Sequence, residues 1–265
     1  MQPITIDAAQ ISSWVSRLWW PTLRIGAFLA AAPLTNGTIV PNRIKVVLCV
    51  ALAVLVAPLV HSPAALPIFS GAGAWAAIQE ILVGVAIGMV VQLSFEAVTM
   101  AGQTISMTMG LGFATLVDPV HGAQTAVLGQ LFSVLATLTY LAINGHLILL
   151  GAFVDSFNTL PIGAANIDQN FLWSVAVWGS SIFETGLLIA LPGMIALIIV
   201  TIALGVITRA APQLNLFGIG FPITLLAGFF VLMIGMDGVM VGVSTLLQSA
   251  LTEVVELVSP GRTVH

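Results

Sequence analysis

Six ionisable side chains stand where a charge is expensive. Arg17, Arg24, Glu80, Glu96, Glu184 and Asp237 lie in or at the edge of long apolar runs, and a charge near the middle of a membrane helix costs about 2.5 to 3.5 kcal/mol on insertion scales. Such groups must face protein, water or a partner. Four carboxylates so placed could relay protons or ions, which defines one reading: a secondary transporter or proton channel. The other reading is structural, with acids that end helices, snorkel, pair with Arg17 and Arg24, or face neighbouring subunits. A transporter site gathers its polar groups at broken helices near the midplane. Here the acids are dispersed along the chain, which favours the structural reading.

Little else could do chemistry. His61, His121, His146 and His265 are far apart, so no pair has metal-ligand spacing. Cys49, the single cysteine, sits in the run Val46-Val47-Leu48-Cys49-Val50 and reads as a small core residue. The sequence contains no nucleophile elbow, phosphate loop or metalloprotease helix motif. No enzyme activity, cofactor or metal is therefore expected.

The elements that carry these residues follow from composition. Apolar residues make up 59% of the chain and charged residues 6%, against about 25% charged in a soluble domain; the mean hydropathy is +1.13. The 265 residues accommodate roughly five to seven spans of about 20 residues. The apolar runs far exceed the roughly ten-residue alternating strands of a membrane barrel, so the expected fold is all-α and polytopic. A net charge of -4 without any basic cluster argues against nucleic-acid binding. The N-terminal Met1-Gln2-Pro3-Ile4-Thr5-Ile6-Asp7 has an acid where a signal peptide needs a basic region, so no cleaved signal is expected.

Six apolar segments are expected near 14–34, 44–60, 75–100, 123–154, 171–208 and 219–250. The fourth and fifth exceed one span and are expected to be bent, steeply tilted or split into two shorter helices, with Asn144-Gly145 and Pro192-Gly193 as the break points. With six crossings, Arg43, Lys45 and Arg209 share one face opposite Asp155 and Asp168, which places the basic face in the cytoplasm. Gly84-x-x-x-Gly88 and Gly238-x-x-x-Gly242 have the spacing of close helix contacts. The stretch 101–119 is neither charged enough for a solvated loop nor continuous enough for a span. Its glycines at 102, 110 and 112 free the backbone and its methionines at 107 and 109 repack readily. Composition alone leaves it as a re-entrant or interfacial loop or a deformable seal.

One run carries a family resemblance. Arg209-Ala210-Ala211-Pro212-Gln213-Leu214-Asn215-Leu216-Phe217-Gly218-Ile219-Gly220-Phe221-Pro222 resembles the signature of the FliR family, an Ala-Pro-Gln-Leu-Asn core followed by Gly-Phe-Pro. Physically, Pro212 and Pro222 interrupt the backbone, Gln213 and Asn215 can satisfy the carbonyls so freed, and Arg209 anchors one end, giving a structural joint that ends at Phe221 and Pro222. A second match is Ala101-Gly102-Gln103 with Met107, Met109-Gly110-Leu111-Gly112-Phe113 and Val117-Asp118-Pro119. The wording around Leu216-Phe217-Gly218 is closer to the flagellar branch than to the injectisome homologue of the same gate.

The resemblance implies a non-enzymatic subunit of the flagellar type III export gate in the bacterial inner membrane and the flagellar basal body. It implies assembly with FliP-like and FliQ-like subunits, contact with FlhB-like and FlhA-like components, and passage of unfolded flagellar proteins. It further implies a FliP-like half over about 1–154 and a FliQ-like half over about 171–265. In the family, a plug corresponding to 101–119 projects into the pore, with Met107, Met109, Gly110, Leu111, Gly112 and Phe113 as its candidates here. A chain-passing gate needs an apolar constriction that dewets when closed, which soft apolar side chains can supply.

Overall fold

A computed structural model describes residues 8–33, 35, 40–58, 60, 68, 70–111, 127–163, 167, 169–211 and 220–259, with the side chains of 8–16, 169 and 170 left undescribed. Among these residues the regular structure is helical throughout: α1 (Ala8–Ala31), α2 (Asn42–Val56), α3 (Gly71–Thr108), α4 (Val127–Ala142), α5 (Gly145–Thr159), α6 (Gln169–Ala210) and α7 (Phe221–Val258). Three of them, α3, α6 and α7, are long and apolar enough to cross a membrane, and α4 with α5 forms a fourth candidate bent by 67°. The expected all-α polytopic class is what is found. Six separate spans are not found among the described residues.

Two expectations about breaks came out differently. Asn144 does interrupt the fourth segment: it takes φ 55°, a left-handed conformation that asparagine tolerates better than most residues. Pro192, by contrast, lies inside a continuous α6. A proline removes one helical hydrogen bond, but a long apolar helix has no water to reward further unwinding, and the turns on either side hold it together. The third segment is also longer than expected, because α3 runs through residues 101–108 of the stretch read as a connector. Thr99, Thr104 and Thr108 donate their hydroxyls to the carbonyls of Phe95, Met100 and Thr104, so these polar residues are satisfied without leaving the helix. At its other end α3 is capped by Ser70, whose Oγ accepts the Gly73 N–H at 3.0 Å.

The chain forms two compact units, Met1–Gln92 with His146–Trp178 and Ala250–His265, and Leu93–Gly145 with Gly179–Ser249. In the first, Gly84 and Gly88 press α3 against α1: a Cβ on Gly84 would collide with the Arg24 carbonyl oxygen, and one on Gly88 would come within 2.8 Å of Ala31 Cβ. The Gly84/Gly88 pair is thus a true close-packing contact. Gly238 of the second small-residue pair has open space around it. Gly84→Leu is therefore expected to force α1 and α3 apart and cost at least the 1–3 kcal/mol of an overpacked core. Gly238→Leu should leave the fold of the isolated chain unchanged. Thermal unfolding of the two purified variants separates these outcomes.

In the second unit, Gly102 has a helical role and not the conformational one expected of it. A Cβ there would lie 2.7 Å from the Leu128 carbonyl oxygen and 2.9 Å from the Phe132 ring of α4. Close approach is the requirement. Gly186 of α6 likewise admits α3, its Cβ position lying 2.9 Å from the Ala97 carbonyl oxygen.

Candidate functional site

Of the charged residues set in apolar segments, two meet in the core of the first unit. Arg24 and Glu80 are both fully buried. They form a two-pronged pair, Arg24 Nε to Glu80 Oε2 at 2.7 Å and Nη2 to Oε1 at 2.9 Å. The remaining guanidinium donors reach α5 and the residue after it: Nη1 donates to the Ser156 carbonyl at 2.8 Å and to Ser156 Oγ at 3.1 Å, and Nη2 donates to the Leu160 carbonyl at 2.8 Å. Five donors thus meet five acceptor contacts, which matches the guanidinium inventory. Phe157 lies 4.4 Å beneath the guanidinium carbon, adding a cation–π contact. A buried charge with this many partners ties α1, α3 and α5 together. The sequence marked Arg24 and Glu80 as needing partners, but Ser156, Phe157 and Leu160 carried no comparable signal.

Glu96, Glu184 and Asp237 remain at the surface of this chain. Glu96 shares one face of α3 with Thr99, Gln103 and the 72% exposed Met107, since positions three, seven and eleven residues on recur on one side of a helix. Glu96, Thr99 and Gln103 line a groove of about 270 Å³ closed on its far side by Ile182 and Phe183 of α6. This polar stripe, on a helix whose most apolar stretch has a mean hydropathy of 2.1, is not among the features the sequence analysis marks. The signal was present as Glu96-x-x-Thr99-x-x-x-Gln103. Among the described residues no group of three or more His, Cys, Asp and Glu gathers as a metal site.

The stripe runs down to the candidate plug. Here α3 ends on Gly110, which has φ 87°; the Leu111 N–H donates to the Ser106 carbonyl at 3.2 Å and the Gly110 N–H to the Met107 carbonyl at 3.0 Å. Paired bonds of this kind around a left-handed glycine are a standard helix stop. Gly110→Ala should cost about 1–2 kcal/mol at that conformation, read as a lower unfolding temperature, whereas Gly110→Asn should recover part of it. Met107 points outward, but Met109 is fully buried. Its thioether fills the space above Gly228 of α7, where any Cβ would strike it, and Thr224 Oγ1 donates to its carbonyl at 3.2 Å. The two methionines therefore differ: Met109 anchors the end of α3, and Met107 is available to whatever lies outside. Gly112 and Phe113 fall outside the described residues.

The candidate joint is described only at its edges. Arg209 is exposed in the last turn of α6, where a cation complements the helix dipole. Phe221 and Pro222 open α7, a position that tolerates a proline because its missing N–H has no helical partner to lose. Pro212, Gln213 and Asn215 lie outside the described residues.

The long helices, the buried ion pair and the glycine-admitted contacts define a polytopic helical membrane protein with no catalytic constellation among its described residues. Residues 15–250 match the family model of bacterial export proteins, family 1. The chain is 42% identical over 229 residues to the flagellar biosynthetic protein FliR of Pectobacterium carotovorum subsp. carotovorum, covering 86% of this chain and 87% of that one. It is 40% identical over 225 residues to FliR of Escherichia coli K12, covering 85% and 86%, and 31% identical over 222 residues to FliR of Bacillus subtilis 168, covering 83% and 85%. The chain belongs to the bacterial export proteins of family 1, the family of these FliR proteins.

Proposed function

We propose that this chain is a wall-forming subunit of a flagellar protein-export gate in the bacterial inner membrane, assembled with FliP-like and FliQ-like subunits. The family membership supports the export role. The observation that carries the assembly is the surface of α6 and α7, whose most apolar stretches are only 22% and 17% buried yet carry the exposed acids Glu184 and Asp237. Lipid can cover Leu188, Ile199, Phe230 and Met233, but it cannot cover a carboxylate cheaply. Neighbouring subunits or an aqueous path can. FlhB-like and FlhA-like components would supply the energy-coupled side of export, and the FliP-like and FliQ-like halves at about 1–154 and 171–265 would place each half beside its counterparts. The stripe Glu96, Thr99, Gln103 and Met107 would face the water-filled route, leading to a closure formed by 107–113 that an unfolded flagellar protein displaces.

Co-purification of the tagged chain from its native membrane, followed by mass spectrometry of the intact assembly, tests this. FliP-like and FliQ-like subunits are expected in fixed ratio. A monodisperse, folded monomer that retains neither would overturn the reading. The transporter alternative loses one of its four acids to the Arg24 pair, and the other three are exposed on α3, α6 and α7.

A further inference from the structure

Ile105 and Met109, four residues apart on one face of α3, seat its last turn against two different helices. Ile105 is buried against the α6 backbone at Gly193, where an added Cβ would find Ile105 Cδ1 3.5 Å away. Met109 is buried against α7. The hydrogen-bond ladder of α3 closes before that point: the Ile105, Ser106 and Met107 carbonyls accept the N–H groups of Met109, Leu111 and Gly110. The Met109 carbonyl instead accepts the Thr224 hydroxyl of α7 at 3.2 Å. One helical turn further along α7, the bare backbone at Gly228 receives the Met109 side chain, whose Cγ would lie 2.5 Å from an added Cβ. Residues 224 and 228 thus engage both the backbone and the side chain of a single residue of α3.

Immediately beyond this seat stands Gly110, at φ 87°. A glycine changes backbone conformation easily, whereas withdrawing a fully buried methionine forfeits a burial term of about ten- to hundred-fold in an equilibrium. Displacement of this end therefore falls on Gly110. We propose that Thr224 and Gly228 are positioning residues for the closure: they hold Met109 in place while a chain passes, and the backbone yields at Gly110 and Leu111. The proposal rests on the reading of 107–113 as that closure. The single proton of the Thr224 hydroxyl is shared between the Met109 carbonyl and the Phe221 carbonyl at 2.9 Å. Thr224 accordingly sets the register of the seat, and Gly228 makes room for the side chain.

The test uses membrane vesicles carrying the assembled complex, with ion leak, export of an unfolded flagellar protein and the amount of complex measured side by side. Met109→Cys with Gly228→Cys, in a Cys49→Ala background, can be bridged. The 2.5 Å between Met109 Cγ and a Cβ at 228 puts the two Cβ atoms within about 4 Å, the range of a disulfide. The oxidised pair should export at the rate of its reduced form and leak no more. Export lost on oxidation and restored by reduction would show that residue 109 must leave its seat, and a pair that does not oxidise would show that it is not held there. Either result overturns the proposal. Thr224→Val should raise the leak by about two- to five-fold, the shift of one shared neutral hydrogen bond, with the amount of complex unchanged, and Thr224→Ser should restore the seal. A tight Thr224→Val, or a serine variant equally leaky, overturns it as well. Should Thr224→Val fail to assemble, the bridged pair still decides. Deleting Met107–Phe113 in the same vesicles separates the two levels: a deletion that does not leak removes the closure itself, whereas a leaking deletion beside a tight Thr224→Val removes only the seat.

Discussion

Arg24→Met is expected to be the most damaging single substitution in this chain. It leaves the Glu80 carboxylate fully buried and strips the acceptors Ser156 and Leu160 of their donors. Removing one member of a buried pair costs about 3–5 kcal/mol, because the remaining charge has neither water nor partner. Against a total stability of about 5–15 kcal/mol, that is enough to deplete the folded protein. The double variant Arg24→Met with Glu80→Leu should recover most of the loss, since it removes the uncompensated charge along with its partner. The measurement is the folded fraction of a fluorescent fusion on size exclusion, with thermal unfolding of each variant. If Arg24→Met behaves like the parent, or if the double variant is as damaged as the single, the pair is not what holds α1, α3 and α5 together.

The second large effect concerns the end of α3. Deleting Met107–Phe113 should open a wetted path if this stretch is the closure, because a narrow apolar constriction excludes ions only while it is continuous. The expected signature is raised inner-membrane permeability to ions and small solutes with the complex still assembled. Gly228→Leu offers the same test without shortening the chain, since a side chain at 228 must displace the Met109 thioether that sits against it. Overpacking of that kind costs about 1–3 kcal/mol locally, and the misplaced end of α3 should leak less than the deletion does. Normal assembly, normal export and no leak in both variants would remove the plug assignment altogether.

Legibility in the sequence tracked the range of the physics involved. The helical membrane class was readable because the cost of exposing backbone to hydrocarbon acts on every residue and needs no partner. The bend at Asn144-Gly145 was readable for a similar reason, since a left-handed residue is a local preference. Local preference failed at Pro192, where α6 continues through a proline. It failed again over 101–108, where threonine hydroxyls return to the helix and Gly102 serves the approach of α4.

Arg24 illustrates the division most plainly. Its sequence context requires a partner for a charge in an apolar helix, and any of four acids could have answered. Glu80 is chosen because Gly84 lets α1 and α3 touch backbone to backbone one turn further on, and Ser156 and Leu160 join because α5 folds back over the same point. Likewise, two methionines two residues apart had equal standing in the sequence, and only the missing side chain at Gly228 buries Met109 while Met107 stays exposed. Composition and periodicity fix what each residue needs. Which neighbour supplies it, across 56 or 132 residues of chain, is decided by packing, because close contacts depend on the shapes of surfaces that no single segment possesses.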